Sequence, residues 1–138
     1  MLTVPVEIKK SAIHGFGVFA ATEIKKGTVL WMFEPGLDRR IPKLVVEHCS
    51  PRNRDYIMQR GYMNPADPEV VVLCVDEAMF MNFPADGEKA NIWLGGLQDG
   101  EHILIAAQDI PVGTELTVPP ESDADYQRKL STYESTSS

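Results

Sequence analysis

Apolar and polar side chains alternate from Val4 to Ile8, the period of a strand with one face on a core. Thr28 to Phe33 is rich in β-branched and aromatic residues, a second strand pattern. Val70 to Val75 is a continuous apolar run of strand length. Shorter strand patterns cover Asn91 to Leu94 and His102 to Ala106. Gly95, Gly96, Asp99 and Gly100 between them predict a hairpin-like connection. Helical signals are few. Ser50 is placed to cap a helix with Pro51 at its first position, stopping near Gly61. Ser122 is placed to cap a second, with Asp123 and Asp125 in its first turn and Arg128 and Lys129 further along, as the helix dipole favours. The Ser/Thr-rich stretch from Ser131 to Ser138 is expected to fray. The pattern predicts a mainly β protein of short strands with few short helices.

Two segments echo each other. Ala20 to Leu30 reads AATEIKKGTVL, and Ala106 to Leu116 reads AAQDIPVGTEL. Ala, Ala, Ile, Gly, Thr and Leu recur in the same order. Each reads as a strand end, a turn closed by glycine and a new strand. Two similar turns or a duplicated structural unit would both produce this. Pro35 to Pro68 is richer in Pro, Arg and Asn than its surroundings and reads as an insertion between two β-rich halves.

Composition narrows the function classes. The 138 residues suit one domain, and 43% hydrophobic with 24% charged residues is ordinary for a globular chain. The formal net charge of -7 argues against direct nucleic-acid binding and permits a basic partner. Cys49 and Cys74 are far apart, and His14, His48 and His102 are scattered, so no zinc-ligand cluster is expected. Both cysteines are expected as free thiols. No apolar run approaches the roughly 20 residues of a membrane span, and Met1 to Lys10 has no signal-peptide core. The expected location is cytoplasmic.

Three segments carry candidate chemistry. Ser11 to Leu30 contains Gly15-Phe16-Gly17, followed by Val18-Phe19-Ala20 and an I-x-x-G turn. A dinucleotide-binding loop needs a third glycine and a following helix; here the glycines lead into a strand. Val75 to Asn91 reads VDEAMFMNFPADGEKAN, and Gly113 to Tyr126 reads GTELTVPPESDADY.

In this order the three segments resemble the SET domain of S-adenosylmethionine-dependent protein lysine methyltransferases. The resemblance covers nearly the whole chain. It implies a β-clip-like SET domain over residues 4–126, with 35–68 as a variable insertion. Residues 127–138 are then a helix end and flexible tail. It implies several short sheets with the C-terminal segment threaded beneath a loop near Asn82 and Asn91. It places His14, Gly15, Phe16 and Gly17 along the cofactor, with Asn82 and Phe83 at its methionine end. The sequence departs from the family where Phe83 stands for histidine, Pro84 for serine and Pro120 for the closing tyrosine. Tyr126 is the next tyrosine: it is the candidate catalytic residue if it turns into that gap, and a packing residue of the final helix otherwise. Three functional readings are open: a lysine methyltransferase with Tyr126 relocated, a cofactor-binding pseudoenzyme, or a peptide-binding module on a SET scaffold. The implied cofactor is S-adenosylmethionine, without a metal. The implied partner is a lysine-containing basic protein or peptide.

Overall fold

A computed structural model describes residues 1–120. The expected second helix, the Ser/Thr-rich tail and Tyr126 lie outside the described residues. Strands β1 (Val6–Lys10) and β2 (Phe16–Ala20) form a two-stranded antiparallel ribbon. Strands β3 (Val29–Trp31), β8 (Glu101–Ala106) and β7 (Ile92–Gln98) form a second antiparallel sheet in the order β3-β8-β7. The third sheet has the order β4-β6-β5, from Arg39–Pro42, Val70–Leu73 and Tyr62–Met63. Helices α1 (Lys43–Glu47) and α2 (Pro51–Arg60) connect β4 to β5, and a 3-10 helix, Glu77–Phe80, follows β6.

Local chemistry explains the best-formed elements. The Ser50 side chain accepts from the Asn53 N–H, Pro51 opens α2, and Gly61 ends it. Val71 and Val72 of β6 are buried in the strand that pairs on both its edges, as a continuous apolar run requires. The alternation at the N-terminus sends Leu2, Val4 and Val6 onto the main core, while Ile8 projects to solvent. That strand therefore starts later than the pattern predicts, at Val6. The hairpin turn is also smaller than predicted. Only Asp99 and Gly100 lie between β7 and β8, and Gly95 and Gly96 are absorbed into β7 by a bulge between Leu94 and Leu97.

The internal echo is a two-fold arrangement. The Ile24 N–H donates to the Ile110 carbonyl at 2.9 Å, and Ile110 returns the bond at 2.7 Å. Gly27 donates to Ala106 and Gly113 to Ala20, both at 2.8 Å. Ala106 donates to Thr28 and Ala20 to Thr114, both at 2.9 Å. Each of these bonds has a counterpart with the two segments exchanged. Gly27 and Gly113 have φ of +87° and +84°, the left-handed region open to glycine without strain. Leu30 and Leu116, the last residues of the echo, are fully buried in the same cluster as Ile24 and Ile110. The two turns are thus halves of one paired unit at the centre of the core.

Residues 114–118 lie in a clasp. Leu116 donates to Val18 at 2.7 Å, Val118 donates to Asn82 at 3.1 Å, and Ile92 donates to Thr117 at 3.1 Å. Asn91 is buried and closes the clasp with its side chain. Its Oδ1 accepts from the Thr117 N–H and its Nδ2 donates to the Glu115 carbonyl, both at 2.8 Å. This segment is therefore held beside both asparagines, as the expected threading requires.

A second polar cluster joins two sheets. Glu101 is fully buried at the start of β8. Its carboxylate accepts from Arg40 Nε at 2.8 Å, Asn64 Nδ2 at 2.6 Å and the Tyr62 hydroxyl at 3.2 Å. The Arg40 guanidinium also lies 4.1 Å from the centre of the Phe33 ring.

The cysteines occupy different environments. Cys74 is buried with Trp31, Phe33, Val72 and Ala78. Burial first, then Asp38 and Asp76, push its thiol from the ordinary 9.0 up to about 12. Cys49 is partly exposed, with its sulfur 3.3 Å from the Val45 carbonyl. A thiol reagent near neutral pH is expected to modify Cys49 alone in the native protein, and Cys74 only after denaturation. Equal labelling of both thiols in the native state would contradict this packing. The sign of the Cys74 shift adds a pH dependence. The unfolded thiol ionises first, so its contribution to stability declines as pH rises from about 9 towards 12.

Candidate functional site

The site is built where three distant segments converge on Asn82. Residue 82 follows the 3-10 helix Glu77–Phe80, whose start is capped by the Asp76 carboxylate on the Ala78 N–H. The first segment is the loop before β2. It is closed on itself by a 2.7 Å bond from the Ser11 N–H to the Gly15 carbonyl and by the Ser11 hydroxyl, which accepts from the Ile13 N–H at 2.9 Å. The second contains Glu115, in the clasped segment. The third carries Asn82 itself.

The Asn82 side-chain nitrogen faces oxygens. The His14 carbonyl and a Glu115 carboxylate oxygen each lie at 3.0 Å, and the Phe16 carbonyl and Ser11 hydroxyl each at 3.2 Å. The other Glu115 oxygen accepts from the Ser11 hydroxyl at 2.6 Å. An amide nitrogen has two protons, so the four acceptors share them. This neighbourhood fixes the orientation of the amide, because turning it over would set its oxygen against acceptors. The Asn82 Oδ1 consequently points away from the cluster's acceptors, and it accepts no hydrogen bond among the described residues.

Gly17 is required by this geometry. A Cβ there would sit 2.6 Å from the Glu115 carboxylate, which Ser11 and Asn82 already hold in place.

The structure brings His14, Gly15, Phe16, Gly17 and Asn82 into one cluster, and Phe83 adjoins it. His14 and Phe16 take part through their carbonyls. Phe16 and Phe83 are 61% and 48% exposed, a large apolar surface to leave in water beside a polar cluster. The grooves on the faces of α1 and α2 include no member of the cluster. Sequence reasoning did not single out Ser11 and Glu115. Both stand inside segments that carry the resemblance, and the available signal was a serine ahead of Gly15 together with the glutamate of Gly-Thr-Glu-Leu-Thr.

No family model matches the chain, and no curated protein matches its sequence. Solved structures do. A candidate histone methyltransferase of Plasmodium falciparum superposes with a TM-score of 0.62 at 17% identity, over 88% of this chain and 97% of the other. An inhibitor-bound, humanized Polycomb Repressive Complex 2 of Chaetomium thermophilum gives 0.60 at 19%, and an apo form of that complex gives 0.64 at 20%. Each covers 84% of this chain. The fold is that of the SET-domain methyltransferases. The chain spans only 15% of the Polycomb chains. Within the SET fold, the small antiparallel sheets and the clasp around residues 115–118 leave Asn82 at the crossing of the glycine loop and the clasped segment.

Proposed function

We propose that the chain binds S-adenosylmethionine at the Asn82 site and is related in chemistry to protein lysine methyltransferases, with a weakened transfer step. One observation carries the reading: the Asn82 amide has its nitrogen fixed by four oxygens and its Oδ1 left as an acceptor. An acceptor so placed suits the ammonium of an amino-acid ligand. The exposed rings of Phe16 and Phe83 offer apolar surface for the rest of a nucleoside-bearing molecule. S-adenosylmethionine supplies, when bound, a methyl group on a positively charged sulfonium.

The chain's own residues account for the weakness. A lysine must be neutral to accept a methyl group, and burial in an apolar channel lowers its pKa. The carboxylate bonded to Asn82 is Glu115, whose two oxygens hold Ser11 and Asn82 in place. Pro84 removes a backbone donor next to Phe83. Pro120 offers neither hydroxyl nor N–H where the family places a tyrosine. Tyr126 is the residue proposed to complete the channel. A lysine-containing basic partner suits the net charge of -7. The same losses favour a second reading, a cofactor-binding protein without turnover.

A radiolabelled methyl-transfer assay on lysine-rich proteins and peptides tests this. Slow transfer is expected, cut about tenfold or more by Tyr126→Phe with cofactor affinity nearly unchanged, the signature of a contact made in the transition state. Absent transfer with binding intact would establish the second reading. Rapid transfer indifferent to Tyr126→Phe would overturn the role of Tyr126.

A further inference from the structure

We infer that Arg60 is a positioning residue for the Asn82 site, acting through Phe80. Arg60 is the last residue of α2. Its guanidinium carbon lies 4.2 Å from the centre of the Tyr56 ring and 5.8 Å from that of Phe80. Arg60 forms no ion pair among the described residues, so the two rings are the partners its charge has there. One turn earlier on α2, the Tyr56 hydroxyl reaches the Met79 sulfur at 3.3 Å. The helix thus grips the 3-10 helix Glu77–Phe80 at two successive residues, Met79 and Phe80.

The grip bears on Asn82 because only Met81 separates it from Phe80. Phe80 packs on the main core, as does Met81. The Met81 N–H bonds back to the Ala78 carbonyl at 3.1 Å, and the next residue is Asn82. Phe80 is therefore held between the core and a cation supplied by α2. Its position sets where the chain emerges towards the glycine loop and Glu115. The planar guanidinium lies close on Tyr56 at 4.2 Å and from there reaches Phe80 at the outer range of a cation–π contact, an arrangement that a lysine ammonium does not reproduce. The clamp makes the orientation of the Asn82 amide depend on the segment between β4 and β5, which contributes no atom to the amide's own contacts.

The affinity part of the test rests on the cofactor reading, and the exchange part does not. Arg60→Ala is expected to raise the dissociation constant for S-adenosylmethionine about five- to tenfold. Amide hydrogen exchange should accelerate at residues 81–83 of the ligand-free protein, while β7 and β8 keep their protection. Arg60→Lys should fall between the two. In a Phe80→Leu background the Arg60→Ala change should add little to exchange at 81–83, since the ring contact it still loses, with Tyr56, lies within α2. Unchanged exchange at 81–83 in Arg60→Ala would overturn the clamp, as would loss spread evenly over the whole chain. Should the wild type fail to bind S-adenosylmethionine while exchange at 81–83 still responds to Arg60→Ala, the cofactor reading falls and the clamp stands.

Discussion

Glu101→Ala is expected to destabilise the protein by about 3 kcal/mol, because it strands buried donors as well as removing a charge. The carboxylate is fully buried and takes donors from three residues on another sheet and its flanking loop: Arg40, Tyr62 and Asn64. Removing it leaves the Tyr62 hydroxyl without its interior acceptor and the Asn64 amide nitrogen with a long 3.5 Å contact to the Gly100 carbonyl. The Arg40 side chain is 41% exposed and recovers part of its loss in water, so most of the cost falls on the other two donors. Burial first, then Glu101, raises the Tyr62 hydroxyl above its ordinary value, so Tyr62 stays protonated and keeps its role as donor. A fall in melting temperature of roughly 10 °C is the expected readout. Glu101→Gln should lose less: its one oxygen can stay with Asn64 and Arg40, and the Tyr62 hydroxyl can turn to accept from the new amide nitrogen. A shift of one or two degrees for the alanine variant would mean that the two sheets are joined by something else.

The second large effect is expected at Asn82, and its direction is informative. Asn82→Asp changes one atom in outline, yet it replaces the amide donor at the centre of a ring of acceptors. The new oxygen would face the His14 and Phe16 carbonyls and the Glu115 carboxylate. The added carboxylate would face carbonyl lone pairs and a second carboxylate, and like charges this close repel, which costs stability and favours the protonated aspartate. Asn82→Ala only removes the donor, at a cost of about 1–2 kcal/mol. The aspartate variant is therefore expected to be the worse of the two, both in thermal stability and in protection of residues 11–16 from hydrogen exchange. Its stability should recover on acidification, as the added carboxylate regains a proton. An aspartate variant as stable as the wild type at neutral pH would show that the amide nitrogen is not turned towards Glu115.

What the sequence made legible was what short-range chemistry controls. Ser50, Pro51 and Gly61 announce both ends of α2 because capping is local. Helix α1 announced nothing. It has five residues, no side-chain cap at Pro42, and Leu44 and Val45 exposed instead of in a buried stripe. Strand β4 carries two arginines and a proline, and its pairing partner is the distant Val70–Leu73, so no periodicity within 39–42 could reveal it. The pair Gly95 and Gly96 reads as a turn by composition, and the pairing of β7 with β8 makes it a bulge instead. The echo of Ala20 to Leu30 in Ala106 to Leu116 was visible as letters; that the copies bond to each other is a fact of three dimensions.

The site divides in the same way. Asn82 and the glycine loop stood out by resemblance to a motif order. The bond from Ser11 to Glu115 spans 104 residues of chain, and nothing local to either side chain foretells it. The direction of the Asn82 oxygen results from that distant meeting, because Glu115 and the loop carbonyls decide which way the amide turns.

Isothermal titration of the full chain with S-adenosylmethionine, beside Asn82→Ala, addresses the central claim most directly. Saturable binding in the micromolar range is expected, about -8 kcal/mol at its tightest, and weakened at least tenfold by the substitution. No heat at millimolar cofactor, or binding that ignores the loss of the Asn82 amide, would contradict it.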